Sequence, residues 1–171
     1  ANNDEGRALE LYTLNVKLSE ALYLSLHALE IALRNRIHFV MSEVDDEGWL
    51  LNEANLLVER QRDQVLEATE GLQREGKELT PSRVLAAVSF SFWTSMFAPP
   101  YDPLWQTTLH KIGKREDGKG LRRKDFSAPL ATIRLLRNRV AHHEPIIYWD
   151  LEKHHAKIRE LTRWLAPAAA D

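Results

Sequence analysis

The segment Arg137-Asn138-Arg139-Val140-Ala141-His142-His143-Glu144-Pro145 holds the residue types best suited to chemistry in this chain. On an ideal helix Arg134, Asn138 and His142 stand at i, i+4 and i+8, so they share one stripe, with Arg137 beside it. Ile133, Leu136 and Val140 fall on a different stripe and are expected to pack inward. Pro145 forces the chain out of the helix, which places His142 and His143 at an exposed helix end. These groups suit phosphodiester chemistry. A histidine, with an ordinary pKa of about 6.5, moves protons in both directions near neutrality. Arginine offers a rigid fork of donors to a phosphate and holds charge that develops on its oxygens. RNA supplies its own nucleophile, the 2′-hydroxyl, so such an enzyme needs neither a metal nor a covalent residue. Arg-Asn followed by His near a helix C-terminus is also ordinary capping chemistry, because cations there complement the helix dipole. On residue types alone both readings stay open.

Other polar groups are candidates of lower rank. Glu30 and Arg34 form an i,i+4 pair with the acid first, the favourable helix order, which on pattern alone reads as a solvated ion pair. Arg34-Asn35-Arg36-Ile37-His38 echoes the later segment, but the chain continues helically past it, so His38 is expected at a surface or interface. His154-His155 point about 100° apart on a helix and lack a completing ligand set, so no metal site is expected and no cofactor is implied. The stretch from Lys111 to Lys124 carries seven Lys or Arg against Glu116 and Asp117. It is a solvated loop or, for an RNA ligand, a source of backbone contacts through Lys119, Arg122, Arg123 and Lys124.

The elements that must position these groups are helices. From about Asp4 to Met41 there is no Pro, and Gly6 is the only Gly. Leu11, Leu14, Leu18, Leu22, Ser25, Leu29, Leu33 and Ile37 keep a helical rhythm, predicting one helix about 50 Å long or broken once. Asp45-Asp46-Glu47-Gly48 ends it. A second helix is expected from near Asn52 to Glu75, with Leu57, Gln61, Val65, Ala68 and Leu72 inward and Gly76 closing it. Thr80-Pro81 opens a third, to about Phe97, which reads as the most buried, and Pro99-Pro100 stops it. Asp102-Pro103 starts a short helix to Ile112. The helix bearing the Arg/His segment follows, with Pro129 in its first turn or at a kink, and Asp150 caps a last helix. No strand pattern or internal repeat appears. The prediction is an all-α, compact helical bundle of about six helices in one domain over residues 1–171, with 1–4 and 166–171 as terminal tails.

Composition narrows the function classes. The chain has 171 residues, 44% hydrophobic and 28% charged, which suits a single globular core and not a disordered chain. It has no Cys, excluding disulfides, a thiolate nucleophile and the usual structural zinc sites, and fitting a reducing compartment, as the cytoplasmic location expected for this chain requires. No apolar run approaches the length needed to cross a bilayer, so no membrane partner is expected. The net charge of −2 argues against a surface that coats nucleic acid everywhere, but local basic patches remain compatible with it.

The segment Leu136 to Ile146 resembles the signature of the Abi-like (abortive infection) family of the HEPN superfamily, whose pattern is Arg, a polar residue, three further residues and His. Arg137, Asn138 and His142 match it. Leu29-Glu30-Ile31-Ala32-Leu33-Arg34-Asn35, Val88-Ser89-Phe90-Ser91-Phe92-Trp93, Tyr101-Asp102-Pro103-Leu104-Trp105 and Trp164-Leu165-Ala166-Pro167 are similar to further segments of that family, in its order. The resemblance implies a helical bundle that pairs as a homodimer, two Arg/His motifs facing across one cleft. It also implies metal-independent RNA cleavage leaving a 2′,3′-cyclic phosphate, in a toxin or phage-defence effector, for which an antitoxin or regulatory protein is a candidate partner. His142 would then be general base or acid, Arg137 would stabilise the phosphorane, and Asn138 would hold the geometry. His143, Arg134, Glu30 and Arg34 would support them. One departure is Glu144, where some relatives carry a Tyr two residues after the His. The alternative is a non-catalytic module of the same type that binds RNA, a nucleotide or a partner protein.

Overall fold

A computed structural model describes residues 2–52 and 57–169, and every regular element among them is helical. The α-helices are α1 (Asn2–Ser42), α2 (Glu59–Arg74), α3 (Pro81–Ala87), α4 (Phe90–Ser95), α5 (Asp102–Thr107), α6 (Arg123–Ala141) and α7 (Leu151–Leu165), joined in places by short 3₁₀ turns. The all-α expectation holds, with seven α-helices among the described residues where about six were expected.

α1 runs unbroken for 41 residues, about 60 Å, because nothing in it breaks the backbone ladder. Its second half is the spine of the core. Leu22, Leu29, Leu33 and Ile37 of the predicted stripe are buried, and each contributes about 1.5–3 kcal/mol by leaving water. The stripe continues beyond the core: Leu11 and Leu14 are 43% and 47% exposed. α7 packs along α1, α6 packs on α4 and α7, and α2 packs chiefly on α3. Phe97, Trp105, Phe126 and Trp164 pack into one aromatic cluster that joins α5, α6 and α7, with Phe97 and Phe126 stacked and the other pairs tilted or edge-on.

Several boundaries differ from the sequence expectation for local reasons. α2 begins at Glu59 and not near Asn52, because Val58 is extended and donates its N–H to the hydroxyl of buried Tyr101. Residues 53–56, inside the expected span, lie outside the described residues. The expected helix from Pro81 to Phe97 is two helices. Val88 is extended, and the Ser89 hydroxyl accepts the Phe92 N–H, so capping restarts the helix there. The expected helix to Ile112 ends at Thr107 and continues only as a 3₁₀ turn, Leu109–Ile112. Pro129 lies in the second turn of α6, and the helix continues through it. Asn2 already belongs to α1, where a short tail was expected. Thr80 and Asp150 cap α3 and α7 as read from sequence.

Candidate functional site

α6 buries Leu130, Ile133, Leu136 and Val140, and that orientation leaves its polar residues on the outer side. Its end is closed by a Schellman motif. The Glu144 N–H donates to the Arg139 carbonyl at 2.8 Å and the His143 N–H to the Val140 carbonyl at 3.3 Å. This closure needs a left-handed residue, and His143 fills the position with φ of 56°. α2 closes with the same pair of bonds, Lys77 to Leu72 and Gly76 to Gln73, and there the left-handed residue is Gly76. The chain thus uses the unstrained residue at one helix end and a histidine at the other.

Asn15 of α1 holds the turn that follows. Its side-chain oxygen accepts the Ile146 N–H at 2.7 Å, and its amide nitrogen donates to the Glu144 carbonyl at 3.3 Å. Asn15 is 7% exposed where the four residues before it are exposed, so this latch ties the first half of α1 to the end of α6. Arg139 braces the same turn through the Pro145 carbonyl and the Glu144 carboxylate, with its guanidinium over Trp149.

Between the latch and Glu30 lies a groove of about 620 Å³. One wall is α1 from Tyr12 to Glu30, about 27 Å at the helical rise, and the other is Arg137, Val140, Ala141 and His143. Arg137 donates to Glu30 at 3.5 Å, a long, part-exposed ion pair of small worth that leaves most of the guanidinium's donors for another acceptor.

The expected site residues therefore divide. Arg137, His143 and Glu30 all line the groove, Arg137 and Glu30 in contact. Arg134, Asn138 and His142 are on α6 or its cap but outside the groove walls, with Asn138 and His142 exposed. Arg34 donates to its neighbour Asn35 and is also outside them. Tyr12, Asn15, Tyr23 and His27 were not singled out from sequence. Counting back from Glu30 in steps of three and four reaches His27, Tyr23, Ser19, Val16 and Tyr12, a signal the longer leucine stripe obscures.

The basic loop is largely engaged within the fold. Arg115 pairs with Asp117 and Asp125 and lies over Trp164. Arg122 and Lys119 pair with Asp125 and Asp117, respectively, and remain well exposed. Arg123 is 15% exposed and ties Asp102 to the Phe97 carbonyl. Lys124 is exposed. This loop enters α6 at Arg123, about 21 Å along the helix from Arg137.

His38 is half-buried, and its Nδ1 accepts the indole N–H of buried Trp49 at 3.1 Å, which gives it a structural partner. Among the described residues no group of three or more His, Asp or Glu is placed to hold a metal ion, and no helix is long and apolar enough to cross a membrane. Comparisons with known protein families, curated proteins and solved structures found no match to this chain.

Proposed function

We propose that this chain is a metal-independent endoribonuclease of the Abi-like HEPN type, acting as a homodimer in a toxin or phage-defence setting in the cytoplasm. One observation carries the reading: a guanidinium, Arg137, and an imidazole, His143, share a groove, with His142 at the adjoining helix cap. The sequence pattern Arg137-Asn138-x₃-His142 supports it. In this reading the phosphodiester displaces Glu30 from Arg137, whose donors then hold the two non-bridging oxygens. A histidine takes the proton of the 2′-hydroxyl as its oxygen attacks phosphorus. The bond to the 5′-oxygen breaks, and that oxygen takes a proton from a second acid. The products are a 2′,3′-cyclic phosphate and a 5′-hydroxyl. A second copy of the chain supplies the second acid–base group, and an antitoxin or regulatory protein would act by covering the groove.

The test is incubation of the purified chain with mixed RNA, with and without a chelator, followed by analysis of the new termini. Cyclic phosphate ends formed equally in both arms are expected. Activity lost in chelator and restored by a divalent ion would overturn the mechanism. A second reading, a non-catalytic module for a nucleotide or a partner protein, is favoured by the groove's composition. Val16, Leu26, Val140 and Ala141 are apolar, and Glu20 and Glu30 are acidic, which suits a basic amphipathic helix. Absence of any cleavage, with capture of such a helix, would select it.

A further inference from the structure

The groove is long for a single phosphate, and its charge is not that of a phosphate channel. Glu20 and Glu30 on the α1 wall face Arg137 and His143 on the other, and His27 stands on the α1 wall with the two carboxylates. Phosphate contacts supply affinity in proportion to the cations that make them. Among the described residues Arg137 is the sole Lys or Arg of the groove walls, so an RNA held in this groove must draw affinity from another source.

That source is on the α1 wall. Tyr23 and His27, one helical turn apart, stack with ring centroids 5.9 Å apart and planes within 9°. Both side chains are exposed, Tyr23 at 62%, so the pair presents aromatic surface to solvent instead of filling the core. Helix geometry alone brings i,i+4 side chains together. It does not account for where this pair stands: both rings line the groove that holds Arg137. His27 lies about 4.5 Å and Tyr23 about 10 Å along the helix axis from Glu30, the residue paired with Arg137. A nucleotide whose phosphate reaches Arg137 brings its base, or its neighbour's base, over these rings.

We propose that Tyr23 and His27 form a nucleobase-stacking subsite, which holds a base flanking the phosphodiester at Arg137. The proposal rests on the RNA reading of the groove and assigns Tyr23 a binding role separate from catalysis. Stacking is tolerant of base identity, because every base has a π-face. The subsite therefore favours unpaired RNA over duplex without imposing a sequence.

The experiment uses the full chain and a short, fluorescein-labelled, single-stranded 2′-O-methyl RNA. Its nucleophile is blocked, so binding is read by anisotropy without cleavage. Tyr23→Ala is expected to weaken binding by about 5- to 150-fold, the range for loss of one base–aromatic stack. Tyr23→Phe keeps the ring and is expected to bind like wild type. A single abasic position, scanned along the oligonucleotide, should reproduce the loss in wild type at one register and add nothing to Tyr23→Ala. Because Tyr23 is exposed, its truncation leaves the core intact, which circular dichroism checks. Wild-type binding that Tyr23→Ala does not change overturns the subsite while leaving the RNA reading standing. No binding of any oligonucleotide by the wild-type chain overturns both.

Discussion

His143 combines two roles that pull in opposite directions. As the left-handed residue of the closing turn it holds a conformation that costs an L-residue about 1 kcal/mol relative to glycine. As a residue of the groove wall it brings an imidazole to the groove that Arg137 also lines. Backbone strain of this kind persists where a side chain is needed. His143→Gly is therefore expected to raise the thermal midpoint while lowering RNA cleavage tenfold or more, since general acid–base groups contribute about 10²–10⁴. An unchanged midpoint in calorimetry would remove the strain argument. Arg137→Ala is expected to cost a comparable factor, about 3 kcal/mol of transition-state stabilisation. His142→Ala should do the same under the proposed mechanism, with far-ultraviolet circular dichroism unchanged in both. If His142→Ala is silent and His143→Ala is not, the catalytic imidazole is the one on the groove wall.

At the scale of elements, α6 is held at both ends by side chains that bind backbone. Asn15 holds the turn beyond its C-terminus, and the Asp125 carboxylate holds its N-terminus by accepting the Arg122 N–H and guanidinium. Desolvation raises the Asp125 pKa, but the Arg122 hydrogen bonds and the charges of Arg122 and Arg115 outweigh it, so its pKa is lowered. A carboxylate depressed in the folded state adds stability that is complete above its unfolded value, near about 3.9, and is lost as pH falls through the folded value. Asp125→Asn should therefore be less stable than wild type at neutral pH. The gap should narrow below about pH 4, as measured by urea midpoints across an acid series. A gap that widens on acidification would reverse the assignment.

The whole molecule depends on a few close approaches between distant segments. Gly113 lies against α7, and a Cβ added there would stand 2.4 Å from the Trp164 carbonyl oxygen, which accepts the Lys114 N–H at 2.9 Å. Gly113→Ala must displace backbone, and a loss of about 1–3 kcal/mol is expected in denaturant unfolding. Assembly is the other whole-molecule question. Under the proposed mechanism an acid and a base stand on opposite sides of phosphorus, and a two-fold pair of chains supplies both. Specific activity should then rise with protein concentration across the dimerisation range. An excess of His142→Ala subunits should depress wild-type activity beyond dilution. A monomer that is fully active in sedimentation and assay at the same concentration would refute the shared site.

Periodicity and capping residues in the sequence determined the all-helical class, the buried second half of the α1 stripe, the inward face of α2 and the caps at Thr80 and Asp150. Each of these follows from contacts within a few residues, which local spacing encodes. The breaks at Val58 and Val88 were not legible. The first involves the Tyr101 hydroxyl, brought from a distant part of the chain, and the second is a choice between continuing a helix and recapping it at Ser89. The Arg/His segment was legible as a polar helix end, but its division was not. A sequence ranks Arg134, Asn138 and His142 together because they share a stripe. The packing of α6 through Leu130, Ile133, Leu136 and Val140, with the closing turn at His143 and the Asn15 latch, sets which residues face α1, so that the groove holds Arg137, His143 and Glu30. The basic loop likewise reads as free charge until folding sets Arg123 on Asp102 and Arg115 on Asp125. Ion pairing of that kind depends on the distance between charges in space, which tertiary packing alone establishes.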